Sequence, residues 1–298
     1  MTTEVAYKNR IILRKSLEKN NFMVLVTLTT DFGHKDYSIS VIKAALLDQV
    51  EDVEIIDITH EISPYNPSET AYVLKNAYKA FPKGSIHIIG VESEFTPENI
   101  HLAMQLEGHF FIGADNGIFS LIKEDIKPEK IVAINIHNTV SSSFPVLDVF
   151  VKVAAHIARK GTLEVIGSPI SKIKELTNVK PVISQDNNQI IGSVIYVDNY
   201  GNVITNITQK VFKEIGKSRP FTIHARTVKF RQIFTSYSQA IDFSQPKEQR
   251  EEDGKKLALF NAAGHLELAV YKSNPNTVGS ASSLFGLNYR DLISVHFE

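Results

Sequence analysis

VLVTLTTDFGHKDYSISVIKAALLDQVEDVEIIDIT, residues 24 to 59, decides the fold class before any other part of the chain is read. Residues 24–30 form a short apolar run rich in β-branched side chains, which reads as a buried strand. Residues 38–50 then place apolar side chains at helical spacing, and 53–59 return to a strand-like run. Strand, helix and strand in that order make a βαβ unit. The alternation continues: SETAYVLKNAYKAF (68–81) is predicted as a helix with Ser68 at its N-cap, and SIHIIGV (85–91) and KIVAINI (130–136) are further strands. Residues 23–180 are therefore expected to form a Rossmann-like α/β domain around a mostly parallel sheet covered on both faces. Such sheets bind ligands just beyond the carboxyl ends of their strands. TTDFG (29–33), DITHE (57–61) and VESEF (91–95) fall at those positions.

Beyond PVIS (181–184) the pattern changes. IIGSVIYVD (190–198), GNVITNIT (201–208), FTIHA (221–225), LALFNAA (257–263) and HLELAVY (265–271) are strand-like with turns between them. A second, all-β domain over 188–298 follows. SQPKEQREEDGKK (244–256) is charged and nearly devoid of apolar residues, so it reads as an exposed loop. No repeat of 20–50 residues is present, which argues against a solenoid.

Composition narrows the functional classes. The 298 residues carry 32 basic against 33 acidic groups, a net charge of −1, so there is no basic footprint for nucleic acid or an anionic membrane. No apolar run approaches the roughly 20 residues a membrane helix needs. The absence of cysteine removes disulfides, thiol nucleophiles and thiolate zinc sites, and suits a reducing cytoplasm. Residues 1–22 carry five basic and two acidic groups and no secretory apolar core, so they read as an N-terminal extension, with Met23 as a candidate start. A disordered tail and a helical arm packing on a neighbour both fit them.

Sequence signatures for dinucleotide, NTPase, zincin and serine-hydrolase sites are absent. The ten histidines show no metal-ligand spacing, and His34, His60, His87, His101 and His109 read as structural or surface residues. Asp31, straight off the first strand, is placed to accept hydrogen bonds from the vicinal hydroxyls of a ribose. Asp36 and Ser38 open the next helix, where they serve equally well as caps. Around Gly201, the stretch Asp198, Tyr200 and Asn202 is turn chemistry; it also offers the aromatic face, amide and carboxylate that an adenine or a cationic ligand requires.

Taken in order, TTDFGHKD (29–36), IIDITHEISPYN (55–66), FPKGSIHIIGV (81–91), FIGADNG (111–117), YVDNYGNVITNIT (196–208) and the late HLELAV and GSAS resemble the S-adenosylmethionine hydroxide adenosyltransferase family, relatives of the fluorinating and chlorinating enzymes. The resemblance spans residues 23 to 298. It implies an N-terminal α/β domain and a C-terminal β-barrel, assembled as a homotrimer whose sites lie between subunits. It also implies an adenosyl ligand: Asp31 on the ribose, Tyr65 over the sugar, Asp36, Ser38 and Asp198 facing the methionine portion, and Tyr200, Asn202 and the backbone near Ala281 on the adenine. No metal or organic cofactor is implied. Family chemistry is displacement at C5′ of the adenosyl group, with methionine leaving.

The chain departs from the hydrolytic pattern of an Asp, an Arg and a His. Glu92 stands for the Asp and Asn99 or a neighbour for the Arg. Pro145 stands for the His, with Val146 beside it. Proline offers neither a side-chain donor nor an acceptor. Three readings follow: a hydrolase using Glu92 and Asn99, with His101 taking the arginine's place if the loop register shifts; an adenosyl-binding protein without turnover; and displacement by another nucleophile, of which halogenation is the version least supported.

Overall fold

Val26 to Thr30 are buried without interruption, so strand β1 (Val24–Thr30) can lie only inside a sheet covered on both faces. In the computed structural model, which describes residues 23–136, 142–177, 179–250, 252 and 254–298, the chain divides into two compact units, one ending at Leu176 and one beginning at Thr177. The extension 1–22 lies outside the described residues, as do Glu251 and Asp253 of the charged loop; residues 244–249 of that loop are exposed.

The first unit is built on a seven-stranded sheet in the order β2-β1-β3-β5-β4-β6-β7. Its strands are β1, β2 (Val53–Thr59), β3 (Ile86–Gly90), β4 (His101–Leu106), β5 (His109–Ala114), β6 (Lys130–Ile134) and β7 (Gly167–Pro169). The pairings β2/β1, β1/β3 and β3/β5 are parallel, and those on the β4, β6 and β7 side are antiparallel. The α/β class stands, and the sheet is mixed. Its antiparallel half begins at the β4–β5 hairpin, where Gly108 turns the chain with φ +82°. The sequence reading passed over that hairpin because His101, Gln105 and His109 interrupt its apolar pattern.

Alternation along β3 splits the core in two. Ile86 and Ile88 join Val26, Leu28 and Phe150 on one side, and Ile89 and Val91 join Leu74, Phe111 and Phe119 on the other. Helix α1 (Ser38–Gln49) covers the first side through Ile42 and Leu46, each fully buried aliphatic of this kind contributing about 2 kcal/mol. Helix α2 (Pro67–Ala77) covers the second with α3 (Ile118–Lys123). Its N-cap is Asn66, not Ser68. Asn66 Oδ1 accepts the Glu69 N–H at 3.1 Å, Asn66 Nδ2 donates to Glu69 Oε2 at 3.0 Å, and Pro67 takes the first helical position. Proline's fixed φ makes that position favourable, and the helix stops at Ala77 with a single 3₁₀ turn over Tyr78–Ala80. The unit closes with a π-turn at Val146–Phe150, helix α4 (Val151–Ala158) and the short α5 (Leu163–Ile166).

The second unit is all antiparallel in its named strands. The strands β8 (Val182–Ile183), β9 (Gln189–Val197), β10 (Val203–Thr208), β11 (Phe221–Ala225), β12 (Val228–Phe230), β13 (Lys256–Phe260), β14 (His265–Val270) and β15 (Leu292–Phe297) make one sheet, ordered β12-β11-β15-β9-β10-β14-β13 with β8 on β9. Its two edges nearly meet. The chain beyond β12 bridges to β13 where Phe234 N–H donates to the Ala258 carbonyl at 2.8 Å, giving the barrel-like closure expected for this half. Helix α6 (Gln209–Gly216), capped by Thr208, and α7 (Ala281–Phe285) complete it.

Candidate active site

Parallel pairing brings the first unit's motifs to one edge of its sheet. Thr30 is opposite Gly90 in the β1/β3 register, so Asp31 and Glu92 leave neighbouring strands, which run about 4.8 Å apart, at the same end. His60 and Glu61 leave β2 beside them, and Asp115 and Asn116 leave β5.

Each of these carboxylates is held by its own local geometry. Asp31 Oδ2 accepts the Tyr65 N–H at 3.1 Å, and Gly33, at φ +66°, donates its N–H to the His60 carbonyl at 2.7 Å. Tyr65 itself sits at φ +57° with its ring exposed, a backbone conformation that costs a bulky residue about 1–2 kcal/mol. Glu92 is at φ +45°, a second such residue at the same edge. Its Oε1 accepts the Asn99 Nδ2–H at 3.2 Å, and Asn99 Oδ1 in turn accepts from Lys174 Nζ at 3.0 Å. Among the described residues, Asp31 Oδ1 and Glu92 Oε2 accept no hydrogen bond. Asn99 is itself fixed by the Thr96–Asn99 turn, in which its N–H meets Thr96 Oγ1 at 2.9 Å. Glu94 and Glu98 are exposed.

His101, the residue a shifted register would offer in the arginine's place, lies beneath the Glu92 loop. It is buried in β4, its Nε2 2.9 Å from the Ser93 carbonyl and its ring edge-on to Phe150 at 4.7 Å, so it anchors the Glu92 loop from beneath. On the other side of the strand end the wall is apolar. Val146 is fully buried, and a Cβ added to Gly90 would come within 3.1 Å of Val146 Cγ2 and 3.0 Å of Thr30 Cγ2. Phe144 meets Phe32 edge-on at 5.7 Å, and Pro145 opens the π-turn. Asp36 accepts the Ser38 N–H at 2.8 Å at the start of α1, and that N–H, followed by the Ser38 hydroxyl, holds the Asp36 carboxyl below its ordinary value.

FIGADNG braces the same edge. Asn116 Nδ2 donates to the Val91 carbonyl at 3.0 Å, and buried Asp115 accepts the Lys174 N–H on both oxygens at 3.0 Å. Burial pushes the Asp115 carboxyl above its usual range, against the pull of that N–H. Neither role is legible in the sequence: FIGADNG carries no catalytic signature, and Lys174 sits in an unremarkable lysine-containing loop.

In the second unit, Asp198, Tyr200, Asn202 and Ala281 come together. Asp198 Oδ1 accepts the N–H groups of Tyr200 (2.9 Å) and Asn202 (2.8 Å), and its Oδ2 accepts from Asn202 Nδ2 at 3.0 Å. Gly201, at φ +72°, lies so close to Ser280 that a Cβ would fall 2.3 Å from the serine side chain, and its carbonyl accepts the Ser282 N–H at 2.9 Å. DNYGN is thereby docked on GSAS, with Ala281 buried and the Tyr200 ring exposed. Tyr237 and Glu267 are additional members: the Tyr237 hydroxyl donates to Glu267 Oε1 at 2.6 Å, and both groups feel the Asp198 charge. Tyr237 comes from a segment with no motif of its own, and Glu267 is the acid of HLELAV, for which the residue pattern suggests no role. Among the described residues no cluster of three or more His, Asp or Glu is arranged to hold a metal ion, and no helix is long and apolar enough to cross a membrane.

Residues 26–167 match the model of the SAM hydroxide adenosyltransferase N-terminal domain, and 192–294 match that of the C-terminal domain. The chain belongs to the SAM hydroxide adenosyltransferase family. A protein of Methanocaldococcus jannaschii named (R)-S-adenosyl-L-methionine hydrolase is 28% identical over 283 residues, covering 93% of this chain and 97% of the relative. One of the same name from Thermus thermophilus is 25% identical over 276 residues, 88% of this chain and 95% of the relative. The crystal structure of an uncharacterized conserved protein from Thermotoga maritima superposes with a TM-score of 0.77 at 26% identity, over 92% of this chain and all of that one.

Proposed function

We propose that the chain hydrolyses S-adenosyl-L-methionine at C5′, giving adenosine and L-methionine. The observation that carries this reading is the Glu92–Asn99 pair beyond β3, beside Asp31, in a chain that matches both family domains. A water oxygen forms the bond to C5′ while the C5′–S bond breaks and its electron pair stays on sulfur. The proton released from water passes to Glu92 and then to solvent. Displacement of so good a leaving group rests on positioning and a desolvated nucleophile more than on covalent machinery. Glu92 Oε2 is the acceptor that orients the water, Asn99 holds Oε1, and the wall of Phe32, Phe144 and Val146 excludes solvent.

In this proposal Asp31 takes the ribose hydroxyls and Tyr65 the sugar face. Asp36, Ser38 and Asp198 meet the methionine portion, and Tyr200, Asn202 and the Ala281 backbone meet the adenine. The protein works in the cytoplasm as a homotrimer, each ligand held between subunits, with no metal or organic cofactor. The relatives' name specifies a sulfonium configuration, so the assay uses the R and S epimers separately. Incubation with each, followed by chromatography, is expected to yield adenosine and methionine in equal amounts from the R epimer. Binding by calorimetry without adenosine above the uncatalysed background would end the hydrolase reading in favour of a binding protein.

A further inference from the structure

We propose that Lys174 is a positioning residue of this site, setting the polarity of the Asn99 amide and through it the aim of Glu92; the inference rests on the hydrolase reading above. Lysine carries three donors and no acceptor, so the head group 3.0 Å from Asn99 must face the amide oxygen. That commits the amide nitrogen to the other side, where Glu92 Oε1 lies at 3.2 Å. Without the ammonium the amide oxygen loses its charged partner and, among the described residues, the Asn99 and Glu92 side chains are held only by each other. The cation thus reaches Glu92 by relay.

The placement of Lys174 is built rather than incidental. An isolated exposed lysine contact contributes little, because the long side chain must be ordered to make it. Here the segment that carries it is strapped to the first unit at four places. Ile170 and Ile173 pack on the core cluster around Phe111 and Phe119. The Lys174 N–H is clamped by both oxygens of buried Asp115 at 3.0 Å. Two residues on, the Leu176 N–H donates to Ser120 Oγ at 2.9 Å, and the Leu176 side chain covers Gly117 so closely that a Cβ there would fall 2.3 Å away. Gly117, at φ +96°, is the last residue of FIGADNG. One motif therefore holds both ends of the relay, through Asp115 to Lys174 and through Asn116 to the strand that delivers Glu92.

The test uses Lys174→Met, which keeps the stem and removes the donors, Lys174→Arg, which restores a cation, and Asn99→Ala. Lys174→Met is expected to lower kcat about tenfold, with KM for S-adenosylmethionine within about twofold, and Lys174→Arg to recover most of the loss. In the Asn99→Ala background the same lysine change should have no further effect, since the relay is already cut. Equal losses in both backgrounds, or an unchanged kcat, would overturn the proposal. A separate readout needs no turnover: in the 15N-labelled full chain, the Asn99 side-chain amide signal, assigned by its disappearance in Asn99→Ala, should move and exchange faster in Lys174→Met. A wild-type chain that forms no adenosine sinks the hydrolase reading, whereas an Asn99 signal indifferent to Lys174→Met sinks the relay.

Discussion

The acidic residues of the two units are used in opposite ways. In the first unit Asp31 and Glu92 each spend one oxygen on a single hydrogen bond, from the Tyr65 N–H and the Asn99 amide respectively. In the second, Asp198 spends both oxygens on three hydrogen bonds that close its own loop. A carboxylate that shapes a loop and one that leaves an oxygen open look alike in sequence, since both follow a strand and precede a glycine or a turn. The difference teaches that strand-end acids divide into those whose oxygens are all used in closing their own loop and those that keep one oxygen open.

The largest effect on turnover should come from Glu92→Gln, which keeps the shape and the Asn99 contact but removes the base. Adenosine formation is expected to fall by about 100-fold or more while binding of S-adenosylmethionine by calorimetry is kept. Retained turnover would place Glu92 with the loop-shaping acids. Next is Phe150→Ala, which removes the buried ring beneath His101 and the Glu92 loop. A loss of about 3–5 kcal/mol in urea unfolding is expected from the cavity. A smaller loss would mean that the loop's platform is laid by other residues.

The comparison itself is broken or sharpened by Asp31→Ala set against Asp198→Asn. The first should weaken adenosyl binding about 100-fold by losing charge-assisted bonds to ligand, with little change in melting. Because the second keeps Oδ1 as an acceptor but turns the Oδ2 contact with Asn202 into a donor-donor clash, about 1 kcal/mol of stability should go and affinity should follow only in part. Equal affinity losses would show that Asp198 faces the ligand as fully as Asp31.

In pH dependence the two units should differ in sign. Burial pushes His87, which faces Thr27, His109 and the rings of Tyr78, Phe81 and Phe111, down to about 3 from 6.5. Its neutral form is the folded one, so its contribution is complete above pH 6.5 and is lost as pH falls from there toward 3. Burial raises the Glu267 carboxyl above 4.5, so the folded state favours its protonated form, and its contribution is complete below pH 4.5 and lost as pH rises through the folded value. In urea midpoints measured across pH, His87→Leu should flatten the acid limb and Glu267→Gln the upper one. Unchanged profiles would show that these burials carry no linkage.

Much of this was legible in the chain itself. The βαβ reading of 24–59 placed Asp31 at the end of β1, and the run SIHIIGV placed Glu92 at the end of β3, because a period of two or 3.6 survives wherever a face is buried. The cap at Asn66 was legible too, since Asn-Pro-x-Glu is a helix start with a mechanism, but the hydroxyl at Ser68 drew the reading two residues inward. The β4–β5 hairpin was not, because its histidines are buried by pairing, His101 with the Ser93 carbonyl and His109 with His87 of β3, and paired polar groups erase the apolar pattern.

The sequence alone determined the α/β and all-β halves, the six ordered motifs and the acids that follow the strands, since these depend on local periodicity and on residue chemistry read in order. Tertiary structure alone decided which of those acids keep an oxygen open, that His101 lies under the loop rather than in it, and that Lys174 meets Asn99 from 75 residues away. The physical reason is that a hydrogen bond needs its donor within about 3 Å and in line. That condition depends on how distant segments are strapped together, which no local pattern encodes.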